Sequence, residues 1–157
     1  MVSIRSAVAS DAPQLGALGA MLMRTHYAFD PQRFLAAGAQ AARGYASFLE
    51  SQLDDDEAIV LVAERDARII GYVYAGLEPM SWKELRGPAV FIHDVMVEEE
   101  AQGSGAGSAL IDAAIAWARE RKAARVMLWT AERNTRAQRL FERTGFRRTM
   151  IEMTKEL

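Results

Sequence analysis

Val97-Glu-Glu-Glu-Ala-Gln102-Gly-Ser-Gly105-Ala-Gly-Ser108 is the stretch from which the rest of the chain is best read. It lies between Ala89–Val97, whose apolar residues fall on both parities as in a strand buried on both faces, and Gly105–Lys122. The latter carries Leu110, Ile111, Ala114, Ile115 and Ala118 on one stripe, the pattern of an amphipathic helix. Glycines at such a junction allow backbone angles closed to other residues and present consecutive N–H groups to a ligand. The helix that starts there adds unpaired amides and the positive end of its dipole, which together suit a phosphate. No Gly-Lys-Ser/Thr follows, which excludes a P-loop, and a dinucleotide fingerprint would need its third glycine at Ser108. The same glycines also suit a flexible turn without a ligand.

Beyond this junction, Arg125–Thr130 reads as a strand. Asn134 is a good N-cap for a helix with Ala137, Leu140 and Phe141 inward, and Gly145 is its C′ residue. Phe146–Thr154 is expected to be a last strand, although its alternation is imperfect. Before the junction, residues 2–8 alternate as a first strand, and Ser10-Asp-Ala-Pro13 starts a helix that buries Leu15, Leu18, Leu22 and Met23. A break at Phe29-Asp30-Pro31 precedes a second helical stretch expected to run through Phe34, Tyr45, Phe48 and Leu49 to Asp54–Glu57. Residues 58–63 and 69–76 form a hairpin around Arg65–Arg68, followed by a loop over Glu78–Pro88 that carries Trp82. The order β-α-α-β-β-β-α-β-α-β predicts an α/β (α+β) fold: one mixed sheet with helices on its faces, in a single domain over residues 1–157.

Composition narrows the function. Half of the 157 residues are hydrophobic, a quarter are charged and the net charge is −2, so nothing pulls the chain globally toward nucleic acid. With no cysteine and only His26 and His93, no thiolate site exists and no metal-ligand spacing is seen. No apolar run reaches the ~20 residues of a membrane span, and the N-terminus lacks the layout of a secretory signal. The expected setting is cytoplasmic, with no membrane partner. Arginines crowd the last quarter and would favour an anionic ligand there, though solvated helix faces account for most of them.

Two motifs carry a family resemblance. Gln102-Gly-Ser-Gly105-Ala-Gly107 resembles the (Arg/Gln)-x-x-Gly-x-(Gly/Ala) signature of the GNAT superfamily of acyl-CoA N-acyltransferases. Asn134-Thr-Arg-Ala137-Gln-Arg-Leu-Phe141-Glu-Arg-Thr-Gly145-Phe resembles that family's Asn-x-x-Ala helix, at the expected distance. The resemblance is specific from residue 89 to 147 and covers the rest in outline. It implies a mostly antiparallel GNAT-like sheet and acetyl-CoA as cosubstrate, with no metal. Amides of Gln102, Gly103, Ser104, Gly105, Ala106, Gly107 and Ser108 would hold the coenzyme pyrophosphate. The main chain of Val95, Met96 and Val97 would pair with the pantetheine arm, as an added strand does. Asn134, Ala137 and Phe141 would border that arm, Asn134 also capping its helix. Members commonly dimerise, which leaves a homodimer open.

Three departures stand out. Phe141 occupies the place of a tyrosine that often protonates the departing thiolate, Glu99 that of a proline, and Ser104 that of a basic residue. Water, Tyr27, Tyr72 or Tyr74 would have to supply the missing proton.

The implied reaction is direct attack of a primary amine, on a small molecule or a peptide, on the thioester. An alkyl ammonium titrates near pH 10, so a base or water must free its lone pair. His93 is the candidate base, because an imidazole accepts a proton near neutral pH. Asp94 is the alternative, or a partner for a cationic substrate; strict alternation would turn only one of the two toward the cleft, and a bulge would change which. A backbone N–H, that of Val95 or Met96, would polarise the carbonyl. His26 and Tyr27 are candidates for the acceptor pocket, with plain packing as their ordinary alternative. The competing reading is a non-catalytic acyl-CoA-binding module, which Phe141 favours.

Overall fold

A computed structural model describes residues Met1–Leu157. Five strands, β1 (Ser3–Ser6), β2 (Ala58–Arg65), β3 (Arg68–Glu78), β4 (Ala89–Val97) and β5 (Val126–Leu128), form one sheet in the order 1-2-3-4-5. Neighbours are antiparallel except β4 and β5, which run parallel. The helices are α1 (Ala12–Phe29), α2 (Ala41–Ser51), α3 (Ala106–Glu120) and α4 (Thr135–Arg143). None of them is long and apolar enough to cross a membrane.

The sheet is buried on both faces, as the apolar runs of β2 and β4 require. Leu110, Ala114 and Trp117 of α3 pack on Leu61, Ile70, Val73, Val90 and Ile92. On the other face Leu15 and Leu18 of α1 and Leu49 of α2 cover Val60, Val62, Tyr72 and Met96. The two helices on that face touch closely because Gly19 has no side chain: a Cβ there would lie 2.2 Å from the Tyr45 ring. That contact fixes where Tyr45 stands.

Three expectations are corrected. The second helix begins at Ala41, so Phe34 lies outside it. Asp30 accounts for this: its Oδ1 accepts from the amides of Gln32 and Arg33 at 3.1 and 3.3 Å, a local turn that competes with helix. Strand β5 stops at Leu128, leaving Trp129 and Thr130 off the sheet. Phe146–Thr154 is not a strand; residues 147–157 form no backbone–backbone hydrogen bond. Met150, Ile151 and Met153 are exposed, so this segment buries no apolar face that would hold it to a sheet.

Helix α4 ends as its sequence requires. The amide of Phe146 donates to Phe141 O at 3.0 Å and that of Gly145 to Glu142 O at 3.1 Å, with Gly145 at φ +96°. The Phe141 and Phe146 rings meet edge to face, the hydrophobic contact that accompanies this cap.

Candidate active site

The parallel pairing of β4 and β5 covers only Val90–Ile92 against Val126–Leu128. From His93 onward that edge of β4 has no strand partner, while its other edge stays paired with β3 as far as Val97. The direction of the main chain follows from its bonds. Glu98 donates to Ile70 O on β3 at 2.9 Å, and Val97 O accepts from the Gln102 side chain at 3.1 Å. By alternation, Met96 sends its N–H and C=O to β3, and Val95 and Val97 send theirs to the open edge. Of the two amides named for carbonyl polarisation, that of Val95 is the one on this edge.

At the end of β4 a short 3-10 turn at Glu99–Ala101 leads into the glycine loop. Gly103 and Gly105 both have positive φ, +86° and +88°, and Gly105 is the N-cap of α3. The amide of Gln102 donates to Glu99 O and that of Ser104 to Ala101 O, both at 3.2 Å. Those of Gly103, Gly105, Ala106, Gly107 and Ser108 donate to no group of the chain. Five open donors therefore cluster at a helix N-terminus, the arrangement that binds an anion. Gln102 does a different job: besides holding Val97 O, its Oε1 accepts from Arg136 of α4, tying loop, strand and helix together.

Asn134 caps α4, its Oδ1 accepting from the Ala137 amide at 3.1 Å. Asn134, Ala137 and Phe141 line a cavity of about 450 Å³ that lies along the open edge. His26, His93, Asp94 and Val95 line it too, whereas Tyr27 does not. The sequence did not single out the remaining wall, which includes Arg33, Phe34, Tyr45, Trp129 and Thr130. No short-range pattern marks these residues, because the turn at Asp30, the α1–α2 contact at Gly19 and the early end of β5 bring them in.

His93 and Asp94 both face the cavity because β4 carries an extra residue: Tyr74 pairs with Asp94 and Ala75 with Ile92, which leaves His93 as the bulge. The expectation that only one would face the cleft is corrected on this ground. The His93 ring stacks between Phe91 and Tyr74, at 5.4 and 5.0 Å between centroids. Its Nε2 lies 2.9 Å from Oε1 of Glu78, a carboxylate that holds the ring's orientation. Asp94 is half-buried, and the Tyr72 hydroxyl donates to its Oδ2 at 3.0 Å. Burial raises its carboxyl above the usual carboxylate range, against the pull of the Tyr72 and Tyr45 hydroxyls and of His93 and His26. Burial also raises the Tyr45 and Tyr72 hydroxyls, so both are neutral donors at pH 7. On α1, His26 Nδ1 is engaged with Leu22 O at 2.9 Å.

None of Tyr27, Tyr72 and Tyr74 borders the cavity; the tyrosine that does is Tyr45. Tyr72 is fully buried against Asp94, and the Tyr74 hydroxyl donates to Gln52 at 3.0 Å.

A splayed parallel strand pair, an open amide cradle where β4 meets α3, and a mostly apolar cleft that holds His93 and Asp94 define an acyltransferase of the acetyl-CoA-dependent kind. The chain belongs to the acetyltransferase (GNAT) family, whose profile matches residues 20–146. It is 28% identical over 147 residues to the uncharacterized N-acetyltransferase YhfO of Bacillus subtilis, covering 92% of this chain and 89% of that one. Mycothiol acetyltransferase of Cellulomonas flavigena is 34% identical over 107 residues, 66% of this chain; the match spans 31% of that longer protein. Among solved structures, a tetramutant of the BH1408 protein of Bacillus halodurans superposes with a TM-score of 0.83 at 21% identity, over 99% of both chains. Aminoglycoside N-acetyltransferase AAC(6')-Iy, solved in complex with CoA, gives 0.77 at 18% identity over 100% of this chain and 95% of that one. At these identities the structural likeness speaks for the fold alone.

Proposed function

We propose that this acetyltransferase moves the acetyl group of acetyl-CoA to a primary amine of a small molecule or peptide, by direct attack on the thioester and without a covalent enzyme intermediate. The observation that carries the coenzyme half is the set of five open amides at Gly103 and Gly105–Ser108 beside the unpaired edge of β4. Coenzyme A supplies the acetyl group as a reactive thioester whose thiol is a tolerable leaving group. The amides receive its pyrophosphate, and the helix dipole of α3 adds to their pull. The C=O of Val95 and the N–H of Val97, both on the open edge, pair with the amides of the pantetheine arm, as a strand edge pairs with a peptide. Asn134, Ala137 and Phe141 close the opposite side of that slot.

The acceptor's lone pair must be freed before it can attack. His93 takes the proton, its ring fixed by Glu78 and by the two flanking aromatic rings. Asp94, on the same face, is the alternative acceptor of that proton. As the carbonyl oxygen gathers charge, the Val95 amide on the open edge donates to it. Phe141 has no proton to give the leaving thiolate, and burial makes Tyr45, the tyrosine in the cavity, too weak an acid for the task, so water supplies it.

Isothermal calorimetry with coenzyme A tests the coenzyme half, and thiol release from acetyl-CoA across a panel of amines tests the transfer. No binding of coenzyme A to the wild type, or thiol release that never depends on an amine, would remove the proposal.

A further inference from the structure

The acceptor end of the cavity is unusual in its charges. Of the seventeen residues lining the whole cavity, eleven are hydrophobic, and Asp94 is the one carboxylate among them. That carboxylate is half-buried, and the group that donates to it is the Tyr72 hydroxyl, at 3.0 Å. No lysine or arginine pairs with it. A carboxylate drawn into an apolar pocket without a cationic partner is costly, and it is relieved when a cation arrives from outside.

The other strong charge on the wall is not available. Glu152 of the C-terminal segment engages the Arg33 guanidinium in two hydrogen bonds, the one to Nη2 measuring 2.9 Å. The same guanidinium lies over the Phe34 ring at 5.0 Å. The acidic run Asp54–Glu57 does not reach the cavity. A second or third ammonium on one ligand would therefore find the nearby carboxylates engaged, Glu78 by His93 and Glu152 by Arg33, and a ligand carboxylate would have to displace Glu152. The remaining wall is mostly apolar and includes two aromatic rings beside Leu35: Phe34, edge-on to His26 at 5.0 Å, and Trp129, which is 67% exposed and edge-on to Phe91 at 5.2 Å.

We infer that the acceptor is a monoamine with an apolar body of aromatic size, its ammonium seated on Asp94 and its body against Phe34, Leu35 and Trp129. This inference rests on the amine-acetylation reading and names its substrate class. The cation sits where His93 can take its proton. A single carboxylate with an aromatic wall selects against polyamines and aminoglycosides, whose extra charges would lose water and gain no partner.

The test measures kcat/KM by thiol release for 2-phenylethylamine, n-butylamine, spermidine, kanamycin and phenylalanine, with coenzyme A affinity measured separately by calorimetry. Phenylethylamine is expected to exceed spermidine, kanamycin and phenylalanine by about tenfold or more, one desolvated charge being worth at least that much. Trp129→Ala is expected to raise KM for phenylethylamine and leave that for butylamine nearly unchanged. Asp94→Asn keeps an oxygen for the Tyr72 hydroxyl, so it is expected to fold, to bind coenzyme A as the wild type does, and to lose amine affinity. Preference for spermidine, kanamycin or phenylalanine overturns the inference while the acetylation reading stands. Loss of coenzyme binding in the wild type overturns that reading. In that event phenylethylamine must still raise the melting temperature of the wild type and not of Asp94→Asn, or the inference fails too.

Discussion

His93 and Asp94, consecutive on β4, turn their side chains into the same cavity, because the strand holds one residue more than β3 between their flanking pairs. A regular strand would send one of them into the core under α3. The bulge thus gathers an imidazole, a carboxylate and their supports, Glu78 and Tyr72, on one face of the sheet.

If His93 takes the proton, His93→Ala lowers kcat by about 10² or more, and the limb of the pH–rate profile that reports the base disappears. Glu78→Gln keeps the ring in place but weakens its charged support, and a smaller loss is expected. Steady-state rates across pH check both. An unchanged profile for His93→Ala returns the role to Asp94.

Gly105 caps α3 at φ +88°, with open space where a Cβ would stand. Valine at this position is strained by its backbone angle and not by a clash, at a cost of about 1–2 kcal/mol. The fold has room to survive that cost, but the amides of the cradle lose their alignment. Coenzyme affinity in Gly105→Val should fall by about tenfold or more, read by calorimetry.

Asp94→Asn should stabilise the protein at neutral pH. Burial raises the folded-state carboxyl above its unfolded value, so the folded state binds the proton more tightly. The native state is then penalised once pH rises through the unfolded value and the group must ionise where it is buried, and the penalty vanishes in acid. The melting temperature of the variant is expected above that of the wild type at pH 7.5, with the gap closing toward about pH 4, the unperturbed carboxylate range.

Gly19→Ala places a methyl group 2.2 Å from the Tyr45 ring. Separation of α1 from α2 is expected to cost about 1–3 kcal/mol, which for a chain of this size is a fall of roughly 2–4 °C in melting temperature per kcal/mol. Tyr45 also borders the cavity, so KM for the amine should rise along with the instability, whereas a surface change of equal cost would leave KM alone.

The carboxyl-terminal half was the more legible part of the fold. Gly105 and Asn134 announced two helix starts, Gly145 one helix end, and the structure places each within a residue of expectation. These are signals of local chemistry, written where they act. The cavity wall was not legible, since Phe34 arrives through an Asp30 turn that competes with a helix of fair periodicity, and Trp129 through a strand that stops early. Register was equally hidden: nothing in Ile92-His93-Asp94 says that one residue will go unpaired. The last segment failed for a related reason. Its apolar residues do not alternate cleanly, and a strand needs a neighbour as well as a pattern.

Sheet proteins generally guard their bare rims, because an unmatched row of amides and carbonyls recruits stray polypeptide and seeds clumping. Here the bare stretch beyond Ile92 is short and recessed, with Asn134, Ala137 and Phe141 standing across from it and Gly107 packed against Leu140 behind. A slot walled on that side has room for one slender thread and none for a second sheet. The parting of β4 from β5 can therefore stay permanently ready for its small visitor without making the molecule sticky toward its neighbours.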